Sequence, residues 1–186
     1  LISVQPVKHP KLLLYLSERG LQPSDVSPFL SEVYYRVSEK CFFALGFPND
    51  AGGWELRNPY FKGCFAPKAI STIKGTDSHK LQLFEGFMDF LSWRKLHPEV
   101  QDDSIILNSL TLLPKLIPTL HPYPIIESLL DNDEAGDRAT KQLFDAGLPV
   151  KDMRACYAPY KDINEYLILA DQKKQILTPR KRGLRR

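Results

Sequence analysis

Four short apolar runs, each leading into a segment with helical spacing, fill the second half of the chain. Leu81–Phe84 precedes Gly86–Leu96, where Phe87, Phe90 and Leu91 recur at helical intervals. Ile105–Leu107 precedes Leu110–Leu120, a weaker helix interrupted by Pro114 and Pro118. Ile125–Leu130 precedes Glu134–Gly147, with Ala139, Leu143 and Ala146 on one face. Met153–Tyr157 is the fourth run, and Ile163, Tyr166, Leu167 and Ala170 then follow the helical repeat. Repeated strand–helix units predict an α/β architecture, a mostly parallel sheet with helices on both faces.

The first half has a different rhythm. Pro10 suits a first helical turn and Gly20 a helix end, so residues 10–20 predict a short helix. Residues 32–47 are strand-like, with Val33, Tyr34, Tyr35, Val37, Phe42 and Phe43. Asp50-Ala-Gly-Gly53 reads as a hairpin turn, so residues 1–78 predict a smaller α+β subdomain with an antiparallel ribbon. Gly75–Ser78 marks the expected boundary with the repeating region, 79–170, and residues 171–186 form a basic tail.

Charge sharpens that division. The net charge is +3, yet seven basic residues and no acid lie from Lys173 onward. Without them 18 basic residues face 22 acidic ones, and the body carries −4. Arg180, Lys181, Arg182, Arg185 and Arg186 are therefore candidates for phosphate contacts with DNA, against the plainer reading of a solvated terminus. Hydrophobic residues at 43% and charged residues at 25% argue against a disordered chain. No apolar window approaches a membrane span, so no membrane partner is expected. Three scattered cysteines, Cys41, Cys64 and Cys156, offer neither a CxxC pair nor a disulfide framework. They fit reduced thiols and a cytoplasmic location.

Ligands of open parallel sheets bind at the carboxyl ends of the strands, and here those ends are acidic. Glu85-Gly86 follows the first run, with Asp89 one turn on. Asp131-Asn132-Asp133 follows the third, and Lys161-Asp162-Ile-Asn164-Glu165 comes after the fourth. Crowded carboxylates repel one another, and an oxygen-preferring divalent cation relieves that repulsion. Gly86 and Gly136 are expected to leave room for a phosphate. Singly, Asp131, Asp133 and Asp162 read as helix caps; jointly with Glu85 they favour a metal site. A calcium loop starting at Asp131 is rejected, because Ala135 and Gln142 stand where ligands are required.

FEGFMDFLSW (84–93) resembles the EGxxD motif of Toprim domains. LLDNDEAGDRA (129–139) resembles their DxD motif in its primase form, and PYKDINEYL (159–167) a segment of bacterial and phage primases. LGFPNDAGGWELRN (45–58) is similar to the upstream primase core, most of all in compact primase-like proteins of mobile elements. The resemblance implies a Rossmann-like Toprim sheet of about four parallel strands. It implies a DNA primase-like nucleotidyltransferase of DNA replication, joining nucleoside triphosphates into RNA primers on a single-stranded DNA template. It assigns Mg²⁺ (or Mn²⁺) to Glu85, Asp89, Asp131, Asp133 and Asp162, with Glu85 also the catalytic acid/base. Lys161, Arg57 and Lys62 would contact nucleotide or phosphate. Asn164, where some relatives have aspartate, implies a weaker second metal site. Zn²⁺ is expected only in a region preceding Leu1, and a replicative helicase is a partner the resemblance allows. A Toprim nuclease and a non-catalytic DNA-binding or replication assembly module are the alternatives. His9, His79, His97 and His121 lack ligand spacing, and Trp54, Trp93, Tyr34 and Tyr35 read as packing residues.

Overall fold

The computed structural model describes residues 1–177, apart from the side chains of residues 77, 78 and 171–177. The expected DNA contacts at Arg180, Lys181, Arg182, Arg185 and Arg186 lie outside the described residues.

The first half folds as an antiparallel sheet of five strands in chain order. They are β1 (Ser3–Gln5), β2 (Ser31–Val37), β3 (Lys40–Pro48), β4 (Trp54–Asn58) and β5 (Phe61–Phe65). The strand-like stretch 32–47 is thus two strands. They turn at Ser38, whose φ of 52° lies in the left-handed region, and Val37 pairs with Lys40. The expected turn at 50–53 joins β3 to β4, and Asn49 Oδ1 accepts from Ala51 N and Gly53 N to hold it. Helices α1 (Pro10–Glu18) and α2 (Pro23–Val26) cross over from β1 to β2. Pro10 opens α1, and Gly20 with φ 69° releases the chain at its end.

The second sheet has the order β10-β9-β7-β8-β6. Its strands are β6 (Ser71–Ile73), β7 (Asp77–Phe84), β8 (Asp102–Ile106), β9 (Ile125–Leu129) and β10 (Val150–Asp152). The last four named are mutually parallel, while β6 pairs antiparallel with β8 at the edge. The expected boundary at Gly75–Ser78 therefore falls between two strands of one sheet. Helices α3 (Phe87–Leu96) and α6 (Ile163–Leu177) pack on one face with Phe84, Ile106 and Leu129. Helices α4 (Leu113–Leu120) and α5 (Glu134–Asp145) cover the other with Leu81, Leu83, Ile105 and Ile126.

The fourth strand differs from expectation. It occupies Val150–Asp152, and Arg154–Cys156 is a single 3-10 turn. Gly147, at φ 70°, ends α5 and sends the chain straight into β10. The last ladder bond runs from Met153 N to Ser128 O, after which Arg154 bonds Asp152 and Asp137 and turns the chain. Of residues 153–157, Tyr157 is fully buried in the core and Met153 packs against it, while Ala155 and Cys156 are exposed.

One core joins the two halves. Leu12, Leu16, Leu45 and Phe47 of the first half pack with Phe84, Phe87, Phe90 and Tyr157 of the second. Phe47 stacks on Phe87 with ring centroids 5.3 Å apart. Burying aromatic rings on both sides of the seam fixes how the halves meet, and a cleft opens along that seam.

Candidate active site

The cleft lies at the carboxyl edge of the parallel strands. Phe84 is in register with both Ile106 and Leu129, so Glu85 leaves the sheet level with Leu107 and Leu130, and Asn108 and Asp131 follow one residue on. Asn108 N donates to Glu85 O at 2.9 Å. A cavity of about 190 Å³ is walled by Glu85, Asp89, Asp131, Lys161 and Asp162 from the second half. Glu55, Arg57 and Lys62 face them from the antiparallel sheet, and Arg19 closes one end. Seven of the eight expected site residues in the described part of the chain thus line one cavity. The eighth, Asp133, stands beside it.

Local structure explains each position. Leu130 O accepts from the buried Tyr157 Oη at 2.6 Å, and Asn132 N donates to Lys161 O at 2.6 Å. These bonds clamp the backbone on both sides of Asp131. Gly136 completes the clamp, because a Cβ there would lie 2.0 Å from Asp131 O. The expectation that Gly136 makes room for a phosphate is corrected accordingly: the space is filled by the backbone of Asp131. At Gly86 a Cβ would meet only Asp89 Oδ2 at 3.6 Å, so that side of the cleft stays open.

Two of the acids are helix caps as well. Asp133 Oδ1 accepts from Ala135 N and Gly136 N at 3.0 Å, and its Oδ2 stands 3.4 Å from Lys161 Nζ. Asp162 Oδ1 accepts from Glu165 N at 2.7 Å, while Glu165 Oε2 accepts from Lys161 N. Each cap satisfies helix amides with one carboxylate oxygen. Asp89 Oδ1 plays the same part from a neighbouring helix, accepting from Asn164 N at 3.2 Å.

The acids carry the electrostatic strain of their crowding. Burial, with the Asp162 and Asp131 charges, drives the Asp89 carboxyl far above its ordinary range. Burial, with Glu85 and Asp162, raises Asp131 to about 7. Burial raises Glu85 too; Lys62 and Lys161 oppose the rise, and Asp133 and Asp162 add to it. Asp133 is instead lowered, first by the Gly136 N–H. Lys161 is raised by its bond to Asp133 and the charge of Asp131.

A divalent cation suits these residues. The Glu85 Oε2 atom is buried and has no hydrogen-bond partner. Three neighbouring carboxyls are held above their ordinary ionisation range, a cost that a cation relieves. Among the described residues no three acidic, histidine or cysteine side chains close round a single point. An ion here would take one or two carboxylates and complete its shell with water and phosphate oxygens, as Mg²⁺ commonly does.

Sequence reasoning missed Arg19, Glu55 and Asn108. Glu55 precedes Arg57 by two residues on β4 and so shares its face, a period-two signal that was available. Arg19 and Asn108 reach the cleft only through contacts between the halves. Asn164, where a weaker second metal site is expected, is tied into the protein by its side chain. Its amide takes Arg19 and Ser92 as partners, which makes it a joint between helices.

Residues 82–167 match the Toprim-like family model, and residues 1–66 match a domain of unknown function (DUF8464). No curated protein sequence matches the chain. Among solved structures, the primase fragment of the bacteriophage T7 primase-helicase protein is similar over 95% of this chain and 78% of that one. Its TM-score is 0.60 and its identity 17%. Primase domains in a bacteriophage T7 lagging-strand DNA polymerase complex with an RNA/DNA hybrid and dTTP match over 87% of each chain, with TM-score 0.60 and 18% identity. The Aquifex aeolicus primase, with its zinc-binding and RNA polymerase domains, matches over 91% of this chain and 55% of that one. Here the TM-score is 0.62 and the identity 15%. Strand order, acidic strand ends and these likenesses agree: residues 82–167 are a Toprim-like domain, set in a chain with the mixed α/β fold of primase fragments.

Proposed function

We propose that this chain is the catalytic part of a DNA primase, joining nucleoside triphosphates into RNA on a single-stranded DNA template. The observation that carries the reading is the cleft itself. Acids from the ends of β7 and β9 and from the starts of α3 and α6 meet basic residues from a second sheet across one small cavity. Phosphoryl transfer needs that opposition, positive charge to hold phosphates and carboxylates to organise cations and move a proton.

When bound there, Mg²⁺ or Mn²⁺ supplies charge that orients the phosphates and neutralises the departing pyrophosphate. Asp131 and Glu85 are the ligands of choice, with Asp89, Asp133 and Asp162 in support. Arg57, Lys62 and Lys161 bind the triphosphate. Glu85, half-buried with one unpaired oxygen, accepts the proton of the attacking 3′-hydroxyl. Arg57 is held for its task, its Nε donating to Tyr15 Oη at 3.1 Å. The basic residues from Arg180 to Arg186 add non-specific contacts to the template, and the protein works in the cytoplasm. Among the described residues no helix is long and apolar enough to cross a membrane.

The test is primer synthesis from labelled ribonucleotides on single-stranded templates with Mg²⁺ or Mn²⁺. Products are expected from the wild type and none from Glu85→Gln or from Asp131→Asn combined with Asp133→Asn. Full activity in those variants would remove the reading. Metal-dependent DNA degradation without added nucleotides would replace it with a nuclease.

A further inference from the structure

Seven side-chain polar atoms in the described structure are buried without a hydrogen-bond partner, and three of them share one place. They are Glu55 Oε1, Glu85 Oε2 and Asn108 Oδ1. All three residues line the acidic cleft and also the adjoining hollow of about 410 Å³, whose far wall is Ser109, Leu110 and Thr111. Buried acceptors are normally satisfied, and a cluster of orphans in a cavity wall calls for a ligand that donates.

The Asn108 amide cannot turn to relieve its oxygen. Its Nδ2 donates to Ala69 O and to Ser71 Oγ, both at 2.9 Å, and Ala69 O is only an acceptor. Among the described residues Asn108 is also one of two non-glycine residues at positive φ, 61°, a conformation asparagine tolerates better than most residues. Glu55 is 5% exposed, and its second oxygen is engaged by Lys68. The free acceptors of Glu55 and Asn108 are therefore fixed by the fold.

Charge decides what they would accept. A phosphate would be repelled by two carboxylates. At Glu55 and Asn108 a cation would meet the ammonium groups of Lys62 and Lys68, which line the same hollow. A neutral group rich in hydroxyl donors suffers neither penalty, and its oxygens can in turn accept from Lys68. We infer that Glu55 and Asn108, beside Glu85, form a ribose subsite, reading the vicinal 2′- and 3′-hydroxyls of a nucleoside triphosphate whose phosphates lie toward Arg57 and Lys161. The inference rests on the nucleotide-joining reading and adds to it the residues that distinguish ribose from deoxyribose. A site built to hydrogen-bond a hydroxyl discriminates against the ligand lacking it, because its own buried acceptors stay unpaired.

The experiment is equilibrium binding of each ribonucleoside triphosphate and its 2′-deoxy counterpart, with Mg²⁺, to three proteins: wild type, Asn108→Gly and Glu55→Gln. Glycine adopts the positive φ freely, and glutamine keeps the shape of glutamate. The wild type is expected to hold the ribo form about tenfold more tightly, the scale of one well-made hydrogen bond. Each variant should lose most of that preference by weakening ribonucleotide binding, with deoxynucleotide affinity within about twofold of wild type. Equal wild-type affinities, or a preference intact in both variants, would overturn the subsite. So would Mn²⁺ binding without nucleotide that disappears in Asn108→Gly, which would make the cluster a cation site. If neither nucleotide binds the wild type, the nucleotide-joining reading itself fails and the subsite with it.

Discussion

Arg19 and Asn164 exchange two hydrogen bonds across 145 residues of chain. Arg19 Nη1 donates to Asn164 Oδ1 at 3.1 Å, and Asn164 Nδ2 donates to Arg19 O at 2.9 Å. The same Nδ2 reaches Ser92 Oγ on α3, and the Asn164 backbone N–H reaches Asp89. One buried amide at the start of α6 thus ties the end of α1 and the face of α3 to an acid of the cleft.

Replacing Asn164 by aspartate tests this joint. Aspartate has no N–H to give, so its second oxygen would face Arg19 O, acceptor against acceptor. Asn164→Asp is expected to destabilise the fold by about 1–3 kcal/mol, the cost of leaving buried polar groups unmade. Chemical denaturation monitored by tryptophan fluorescence measures it. Unchanged or increased stability would return Asn164 to the role of a substituted ligand.

Gly136 is needed for a close approach. Its missing Cβ is the space in which Asp131 O sits, 2.0 Å from where that carbon would be. Gly136→Ala must push α5 away from the strand end that carries Asp131. Overpacking of this kind costs about 1–3 kcal/mol. Mn²⁺ affinity should fall as well, because Asp131 moves with its backbone. Thermal unfolding with and without Mn²⁺ separates the two effects, and a variant as stable as the wild type would show the contact to be yielding.

Glu32 predicts a dependence on acid. It is 1% exposed, on β2, and accepts from Gln5 Nε2, Lys8 N, His9 N and Tyr34 Oη at 2.6–3.0 Å. Burial pushes its carboxyl up, but those four bonds outweigh burial and leave it below its ordinary value of 4.5. A group lowered in the folded state contributes stability above its unfolded value, and that contribution is lost as pH falls through the folded value. The wild type should therefore lose more stability between pH 6 and roughly pH 3 than Glu32→Gln, which has no proton to take up. Parallel urea titrations at the two pH values decide it; equal losses would mean that the carboxylate is not the acid-sensitive group.

How far the chain could be read in advance follows from where each signal resides. The strand–helix alternation after residue 80 is a local period, and it placed α3, α5 and α6 within a residue or two of their observed starts. Glu85, Asp131, Asp133 and Asp162 read as one group because parallel strands put their carboxyl ends on the same edge; Asp133 stands beside the cavity, and Asp162 reaches it from the start of α6. The cap readings of Asp133 and Asp162 were correct too: each acid caps a helix, and Asp162 does so while facing the cleft. What stayed hidden depends on distant partners. β6 is three residues long and exists only because β8 offers it an edge. The run at 153–157 reads as a strand by composition, yet Arg154 bonding Asp152 and Asp137 turns it, and Tyr157 is drawn into the core. Glu55 and Asn108 become neighbours only when the two sheets close on each other, a seam set by Phe47 stacking on Phe87.

The clearest trade between stability and chemistry is at Asp131. Its carboxyl is raised to about 7 by burial and by the charges of Glu85 and Asp162, above the 3.8 of an unperturbed aspartate. A carboxyl raised in the folded state stabilises the protein least when ionised: its favourable contribution is complete below the unfolded value and is lost as pH rises through the folded one. In metal-free protein, thermal stability should accordingly contain a component that declines between about pH 4 and pH 7 and has vanished by pH 8. Asp131→Asn cannot ionise, so that component should be absent and the variant should melt higher than the wild type at pH 8. Adding Mg²⁺ or Mn²⁺ at pH 8 should raise the wild-type midpoint by supplying the missing counter-charge, and should leave the variant nearly unmoved. Differential scanning calorimetry at pH 5 and pH 8, with and without the cation, contains every comparison needed. A variant that melts below the wild type at pH 8 would mean that the ionised Asp131 is stabilising, and that the crowding of the acids is relieved within the protein itself.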